Sequence, residues 1–234
     1  AVAPLAGGQT QILGDDEAAH GWSTTKVPVL AALLRARGSH GLTGQELEWA
    51  RSAITESDNA SILSLFHDLE GLEGGLSGAS SYVQQLLRDS GDMQTVVATA
   101  PPPPGASTTF GQTEWSPSEA VEFFRALSLG CLLAPQQTSY VLGLMQRIVP
   151  SESWGLGSAG FAAVAFKGGW GPERGGYLVR QSGIVSPGFA GGAAVAIVTA
   201  APDFAQGTET LSRVAAWLER HLVRATSKRI NCPA

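Results

Sequence analysis

The sequence predicts a mixed α/β (α+β) protein, in which an antiparallel sheet with flanking helices adjoins an all-helical lobe. Three observations support this. The 234 residues are 44% hydrophobic and only 15% charged, so most of the chain should bury a core. Apolar residues recur at helical spacing through the middle of the chain, and the last third changes to short apolar runs separated by glycines. We expect a single domain over 1–234, with an α/β lobe from about 1–22 and 151–234 and a helical lobe from about 23–150.

The helical part begins with an apolar segment from Ser23 to Arg37, which Gly38 should end. Thr43 with Glu46 and Ser116 with Glu119 have capping-box spacing, so each pair predicts a helix start. The remaining predicted elements are a short strand at Gln9–Leu13, a glycine-rich link at Gly71–Gly78, a proline-rich loop at 100–113, a helix at about 135–146, three antiparallel strands near 161–166, 177–181 and 193–200, and a final helix at 208–224.

Composition excludes several classes of function. The net charge of −5 argues against a protein that binds nucleic-acid backbones, and no apolar run is long enough to span a bilayer. The four histidines and two cysteines show no metal-ligand spacing, so we expect no metal and no cofactor. The sequence leaves open whether Cys131 and Cys232 pair, which would require an oxidising compartment. The first residues lack signal-peptide features, so we expect any export signal to lie upstream.

The first motif with chemical potential is Ser23-Thr24-Thr25-Lys26, at the start of the apolar helix. A spacing of three residues puts Ser23 and Lys26 on one helix face, where an amine can activate a hydroxyl if burial lowers its pKa. The ordinary interpretation is a helix cap with a surface lysine. The apolar run from Val27 to Leu34 favours a buried lysine instead.

Two further motifs are individually weak. Ser57-Asp58-Asn59 joins two apolar helices, and all three residue types commonly cap helices. The run Lys167-Gly168-Gly169-Trp170 follows a predicted strand and would otherwise be an ordinary turn.

The order of the motifs, S-x-x-K then S-D-N then K-x-G, resembles that of the penicillin-recognising serine enzymes, and most closely the class A β-lactamases. The flanking segments Ala53–Asn59, Trp115-Ser116-Pro117 and Lys167–Gly175, with Glu173-Arg174-Gly175, extend the resemblance over nearly the whole chain from Trp22. It implies one β-lactamase/transpeptidase-like domain and an active site outside the cytoplasmic membrane, on a secreted, periplasmic or lipid-anchored protein.

The resemblance also implies a role for each motif residue. Ser23 would be the acylated nucleophile, Lys26 its base or proton partner, and Ser57 the residue that passes a proton to the leaving nitrogen. The substrate-binding residues would be Asn59 for a side-chain amide, Lys167 for a carboxylate, and Gly169 and Trp170 beside the oxyanion, which the backbone N–H groups of Ser23 and Trp170 would hold.

Three departures from the family pattern affect the predicted activity. Gly168 stands where the family usually has Ser or Thr. No Glu or Asp lies between Met93 and Thr113, where class A enzymes carry the glutamate that activates the deacylating water. The segment between the first two motifs is also shorter than usual.

We therefore predict a β-lactamase-like serine hydrolase that is acylated at Ser23 by a β-lactam or a peptidoglycan-like peptide and deacylates poorly. Two alternatives remain: a D,D-carboxypeptidase, and a catalytically inactive binding protein of the cell envelope. A histidine-dependent hydrolase using His20 is disfavoured, because the second glycine of G-x-S-x-G is missing around Ser23. Of the tryptophans, Trp170 is the one we expect to shape a pocket.

Overall fold

A four-stranded antiparallel sheet forms the centre of the protein. The computed structural model describes residues 1–173, 175–186, 192–222 and Cys232. The strand order is β1-β6-β5-β4, which leaves β4 at one edge, and a separate two-stranded ribbon pairs β2 with β3. The strands are β1 Val2–Pro4, β2 Ala19–His20, β3 Glu114–Trp115, β4 Val164–Glu173, β5 Gly176–Val185 and β6 Ala193–Ala201.

Seven α-helices surround this sheet in the described part of the chain. They are α1 Lys26–Arg37, α2 Gly44–Thr55, α3 Asn59–Glu73, α4 Leu76–Asp89, α5 Pro117–Ser128, α6 Pro135–Met145 and α7 Phe204–His221. The mixed fold with an antiparallel sheet confirms the predicted fold class.

Local capping chemistry sets several helix starts, as expected. Thr43 and Glu46 form a complete capping box at α2, and the Ser116 side chain accepts a hydrogen bond from the Glu119 N–H at α5. The Asp58 side chain caps α3 by accepting from the Ser61 N–H at 2.7 Å. These side chains satisfy backbone donors that a helix start leaves unpaired, so the connections before α2, α3 and α5 are well defined.

Hydrophobic side chains pack on both faces of the sheet. One face, with Ala165 and Ile184, joins the core of the helical lobe. The opposite face, with Phe166 and Val179, packs against α7 through residues such as Leu211. Because side chains alternate along a strand, β4 contributes to both cores.

Two local predictions were wrong. The predicted strand Gln9–Leu13 reduces to one bridge between Gln11 and Val2, because Val2–Pro4 pairs with β6 instead. The predicted link Gly71–Gly78 is mostly helical: α3 continues to Glu73, and only Gly74 and Gly75, with φ of 78° and 104°, separate it from α4.

Strand and helix ends also differ from prediction. Strand β4 starts at Val164 rather than 161 and continues to Glu173, so Lys167–Trp170 lie inside the strand and not in a turn after it. Strands β5 and β6 are longer than predicted, and α7 starts at Phe204 rather than 208. Arg174 and the predicted end of the last helix at 223–224 lie outside the described residues.

A disulfide joins Cys131, just after α5, to Cys232, with 5.4 Å between the two Cα atoms. It answers the question that the sequence left open and joins two positions 101 apart in the sequence. In the described ranges, every helix is too short or too polar to cross a membrane.

Candidate active site

The three motifs meet at one cavity of about 250 Å³. Ser23, Ser57, Asn59 and Trp170 line it directly, together with parts of the proline-rich loop. Lys26 and Lys167 lie behind this surface, each only 1% exposed. Residues that are more than a hundred positions apart in sequence therefore form one continuous site.

Ser23 lies in a short 3-10 turn, Trp22–Thr25, immediately before α1. Trp22 has a φ of +46°, which is unusual for a residue with a side chain. The Thr24 N–H donates to the Gly21 carbonyl at 3.1 Å, and the Gly21 N–H donates to the Thr113 carbonyl at 2.8 Å. Backbone strain held by such bonds is typical of functional sites.

Ser57 is the meeting point of the two lysines. Lys167 Nζ donates to Ser57 Oγ at 2.8 Å. Lys26 Nζ donates to the Ser57 carbonyl and lies 3.4 Å from Ser57 Oγ. No hydrogen bond joins Lys26 to Ser23 among the described residues, so in this structure the amine contacts the second serine. Ser57 itself has a positive φ of 59°, which turns its carbonyl and hydroxyl toward the lysines.

Burial changes the acidity of both amines. Burial, with a further contribution from the neighbouring Lys167 charge, lowers the pKa of Lys26 to about 6. Burial lowers the pKa of Lys167 to about 8, against an opposing contribution from Glu152. Near neutral pH, Lys26 is therefore mostly uncharged and able to accept a proton, whereas Lys167 keeps most of its charge.

The edge strand β4 comes into close contact with the turn that carries Ser23. A Cβ atom on Gly169 would lie 2.9 Å from the Ser23 backbone nitrogen and 3.0 Å from the Gly21 oxygen. Only glycine permits this approach, so strand β4 lies directly against the backbone of the turn that carries Ser23.

The space next to Gly168, where the sequence resemblance leads us to expect Ser or Thr, is occupied by an aromatic ring. A Cβ atom on Gly168 would lie 3.0–3.1 Å from the edge of the Trp154 ring. Trp154 packs edge-to-face on Trp170, with ring centroids 5.9 Å apart. An aromatic cluster thus fills the space beside Gly168, on the side of β4 that faces away from Ser57.

The proline-rich loop forms part of the wall of the cavity. Gly105, Ser107 and Thr108 line it. None of these side chains is a carboxylate, in agreement with the lack of Glu and Asp in this part of the sequence. Glu114 follows the loop but is exposed and paired through its backbone with His20 in the β2–β3 ribbon, so it lies outside the cavity lining.

Arg180 is a positioning residue that sequence reasoning missed. It is fully buried on β5, and its Nη1 donates to the carbonyls of Ala19, His20 and Trp115 at 3.0–3.2 Å. It thereby fixes the segment that leads to Ser23. A charged residue inside the predicted strand 177–181 was the available signal.

Glu152 is the second residue that was missed. It lies in a short 3-10 turn, Pro150–Glu152, and lines the cavity with Ser23 and Ser57. Burial raises the pKa of its carboxyl group, while Lys167 and Lys26 oppose this shift. No sequence pattern marked this position.

A larger cavity of about 500 Å³ lies elsewhere and contains none of the predicted site residues. Glu119 lines it, and burial together with neighbouring Asp92 raises the pKa of Glu119 to about 8. The motif residues mark the smaller cavity as the candidate active site.

Comparison with solved structures shows a shared fold. The TLA-1 extended-spectrum β-lactamase aligns with a TM-score of 0.75 at 14% identity, over 94% of this chain and 91% of that one. A β-lactamase from Streptosporangium roseum gives 0.72 at 20% identity, over 94% and 91%. PBP-A gives 0.68 at 20% identity, over 94% and 87%. A search of curated protein sequences finds no match.

A comparison with models of protein families assigns most of the chain to one family. The model of the β-lactamase enzyme family matches residues 39–222, which include Ser57, Asn59 and Lys167. Ser23 and Lys26 precede the matched range, and the structural alignments extend the likeness to nearly the full length. By this match, the chain belongs to the β-lactamase enzyme family.

Proposed function

We propose that this protein is a serine hydrolase that forms an acyl-enzyme at Ser23 with a β-lactam or a peptidoglycan-like peptide and releases the acyl group slowly. The observation that carries the proposal is the shared Ser57 hydroxyl: a charged lysine holds it at 2.8 Å and a largely neutral one lies 3.4 Å away. That arrangement, in the same cavity as Ser23, suits proton transfer during acyl transfer.

The acylation step follows from these groups. Ser23 Oγ attacks the acyl carbonyl while its proton passes to the Lys26 amine, which a pKa of about 6 keeps available as a base. The backbone N–H groups of Ser23 and Trp170 hold the oxyanion. The C–N bond then breaks, the nitrogen takes a proton from Ser57 Oγ, and Lys26 returns a proton to Ser57.

The substrate contacts follow the same geometry. Asn59, which is exposed at the first position of α3 and lines the cavity, would bind a side-chain amide of the substrate. Gly169 allows the close approach of β4, and Lys167 orients Ser57. The proposed proton transfers among Ser23, Lys26 and Ser57 are complete without a metal or cofactor.

Slow deacylation is proposed because the proline-rich loop offers hydroxyl groups and no carboxylate to activate water. Of the two carboxyl groups that line the cavity from other segments, Glu56 is paired with Arg51, and burial raises the pKa of Glu152, which disfavours its ionised form. An acyl-ester on Ser23 would therefore persist. One solved relative of the same fold, a PBP-A mutant, is described as an acyl-enzyme complex with penicillin G.

An extracytoplasmic location is part of the proposal. The disulfide between Cys131 and Cys232 supports it, because such bonds persist in oxidising compartments.

The test is intact-protein mass spectrometry after incubation with a panel of β-lactams. We expect a persistent adduct on the wild-type protein and on Ser81→Ala, which changes an exposed serine of α4, and no adduct on Ser23→Ala. Rapid nitrocefin turnover that Ser23→Ala abolishes would contradict slow deacylation. Binding of peptidoglycan peptides without any adduct or turnover would favour the inactive binding protein, and release of D-alanine would favour the carboxypeptidase.

A further inference from the structure

Asp92 is a fully buried carboxylate between α4 and the proline-rich loop. It accepts hydrogen bonds from Trp115 Nε1 at 3.0 Å and from the backbone N–H groups of Gln94 and Thr95 at 3.2 and 2.9 Å. The guanidinium group of Arg88 lies 3.5 Å from it. Because these donors and the nearby cation all favour the ionised form, Asp92 keeps its charge inside the protein.

Glu119, in the first turn of α5, lies against this carboxylate. Its Oε2 atom is buried and receives no hydrogen bond from an N–H or hydroxyl donor in the described part of the chain. The Asp92 side chain acts on Glu119 both as a hydrogen-bond partner and as a negative charge. Two ionised carboxylates cannot hydrogen-bond each other, because each only accepts, so this contact requires a proton on one of them. Since Asp92 is held in its ionised form, the proton belongs on Glu119.

The charged groups around Glu119 are mostly acidic. They come from the N-terminal segment, from the end of α4 and the residues after it, from β3 and from α5 itself: Asp16, Arg88, Asp92, Glu114, Glu122 and Arg125. Both arginines are paired with carboxylates, Arg88 with Asp92 and Arg125 with Glu122. Burial, together with Asp92, raises the pKa of Glu119 to about 8. Ionisation would therefore repel Glu119 from Asp92, toward the cavity of about 500 Å³ that Glu119 lines.

Asp92 is connected through Trp115 to the segment that leads to Ser23. The Trp115 side chain donates to Asp92, and the Trp115 carbonyl accepts from Arg180 Nη1 at 3.0 Å. The same Nη1 group donates to both carbonyls of β2, which pairs with β3 in the two-stranded ribbon. A displacement of Trp115 would therefore move the residues just before the turn that carries Ser23.

The proline-rich loop reaches the same turn through Thr113. The Thr113 hydroxyl accepts from the Ala98 N–H at 3.0 Å, and the Thr113 carbonyl accepts from the Gly21 N–H at 2.8 Å. Both ends of the loop therefore meet next to the turn that carries Ser23. A displacement at either end would reach the candidate nucleophile through one or two hydrogen bonds.

We propose that Glu119 and Asp92 are positioning residues: a proton that they share holds the chain leading into the proline-rich loop and the segment before Ser23 in place, and loss of this proton at alkaline pH slows acylation. The inference rests on the proposed function of Ser23, because acylation is the reaction that the pair affects. Neither carboxyl group touches the reacting atoms, and the steps of acyl transfer are unchanged.

The main experiment measures acylation by benzylpenicillin from about pH 6 to about pH 10, by intact-protein mass, for the wild-type protein, Glu119→Gln and Glu114→Gln. Glu119→Gln keeps a hydrogen-bond donor toward Asp92 at every pH, because an amide does not titrate. Glu114→Gln removes an exposed acid at the same cavity and is the matched control. Rates are compared at equal pH, because loss of the Lys167 charge, with a pKa of about 8, affects all three proteins alike.

We expect Glu119→Gln to react within about threefold of the wild-type rate near pH 6.5 and about tenfold faster than the wild type near pH 9.5, because only the wild-type protein is then displaced. The ratio of Glu114→Gln to the wild type should stay constant over the range. A constant ratio for Glu119→Gln, or an equal change in Glu114→Gln, would overturn the inference.

A second measurement follows the position of the Ser23 turn and does not depend on acylation. Hydrogen–deuterium exchange of the peptide that contains Gly21 and Thr24 is compared between the wild-type protein and Glu119→Gln at equal pH. We expect equal exchange near pH 6.5 and about tenfold faster exchange in the wild type near pH 9.5. If Ser23 is never acylated, this difference would support the inference while the hydrolase proposal fails. Equal exchange at both pH values would overturn the inference.

The shared proton can also be tested in the wild-type protein alone, in case Glu119→Gln does not fold. Carbon-13 NMR of labelled glutamate carboxyl groups should show one group with a pKa of about 8. Its presence would support the inference, and the absence of any glutamate that titrates in this range would overturn it.

Discussion

The two faces of strand β4 show how this protein separates chemistry from stability. On one face, Lys167 donates to Ser57 and Gly169 meets the turn of Ser23. On the other face, Phe166 is buried against α7 and Gly168 faces the ring of Trp154. Neighbouring residues of β4 therefore have different roles, one set in the candidate site and the other in the apolar core. A buried amine costs stability and enables proton transfer, whereas a buried ring stabilises the fold without touching the site.

The largest effect is expected on the apolar face. Phe166→Ala removes a ring that is 2% exposed, so it should lower the free energy of unfolding by about 3–5 kcal/mol. Urea unfolding at constant pH measures this change. Phe161→Ala, at a partly exposed position of the same apolar cluster, is the matched control and should cost clearly less. A loss below about 1 kcal/mol for Phe166→Ala would show that the two faces do not differ as described.

The next effect compares the acylation rates of alanine variants at two adjacent glycines, Gly169 and Gly168, which lie on opposite faces of β4. Gly169→Ala places a methyl group against fixed backbone at the Ser23 turn, so acylation should slow by about 10²–10³-fold, as for the loss of an oxyanion donor. Gly168→Ala meets only the edge of a side-chain ring, which can shift, so acylation should change by about threefold or less. Rates of adduct formation measure both. Equal losses in the two variants would contradict the separation of faces.

The smallest of the three effects on stability or rate is a change in stability caused by Lys26, and it runs in the opposite direction to that of Phe166→Ala. Lys26→Met should abolish acylation and raise the free energy of unfolding at pH 7 by on the order of 3 kcal/mol. The folded wild-type protein keeps this amine neutral down to a pKa of about 6, whereas the unfolded amine stays protonated up to about 10.5. Wild-type stability should therefore rise with pH across this window.

Urea unfolding of both proteins between about pH 7 and pH 10 checks the sign. The difference should shrink as pH rises toward 10.5, because the unfolded lysine then also loses its proton. A variant that is less stable at pH 7, or a difference that does not depend on pH, would show that burial of Lys26 carries no such cost.

The elements that were predictable from sequence depend on local signals. The capping box at Thr43 and the proline-initiated helix after Ser116 are fixed by contacts within four residues. The order of the motifs at Ser23, Ser57 and Lys167 predicted the candidate site through family resemblance. In the structure Ser23 and Ser57 line one cavity, and Lys167 lies behind it and donates to Ser57.

The features that sequence reasoning missed depend on distant contacts. Val2–Pro4 becomes a strand only because β6, almost 200 residues later, accepts it as an edge partner. Glu152 lies in a segment without periodicity and gains its importance from the cavity that other segments form. The filling of the space beside Gly168 by Trp154 likewise requires knowledge of where a separate turn lies.

The bond between Cys131 and Cys232 has a mechanical consequence. Any pull on the chain at Cys232 is transmitted directly to the residues after α5, instead of peeling α7 away from the sheet first. Strands β4, β5 and β6 lie within the covalent loop, and Ser23 lies outside it. With the disulfide formed, a force applied at Cys232 therefore acts on the body of the protein through Cys131. With the disulfide reduced, the same force would first detach α7 from the sheet.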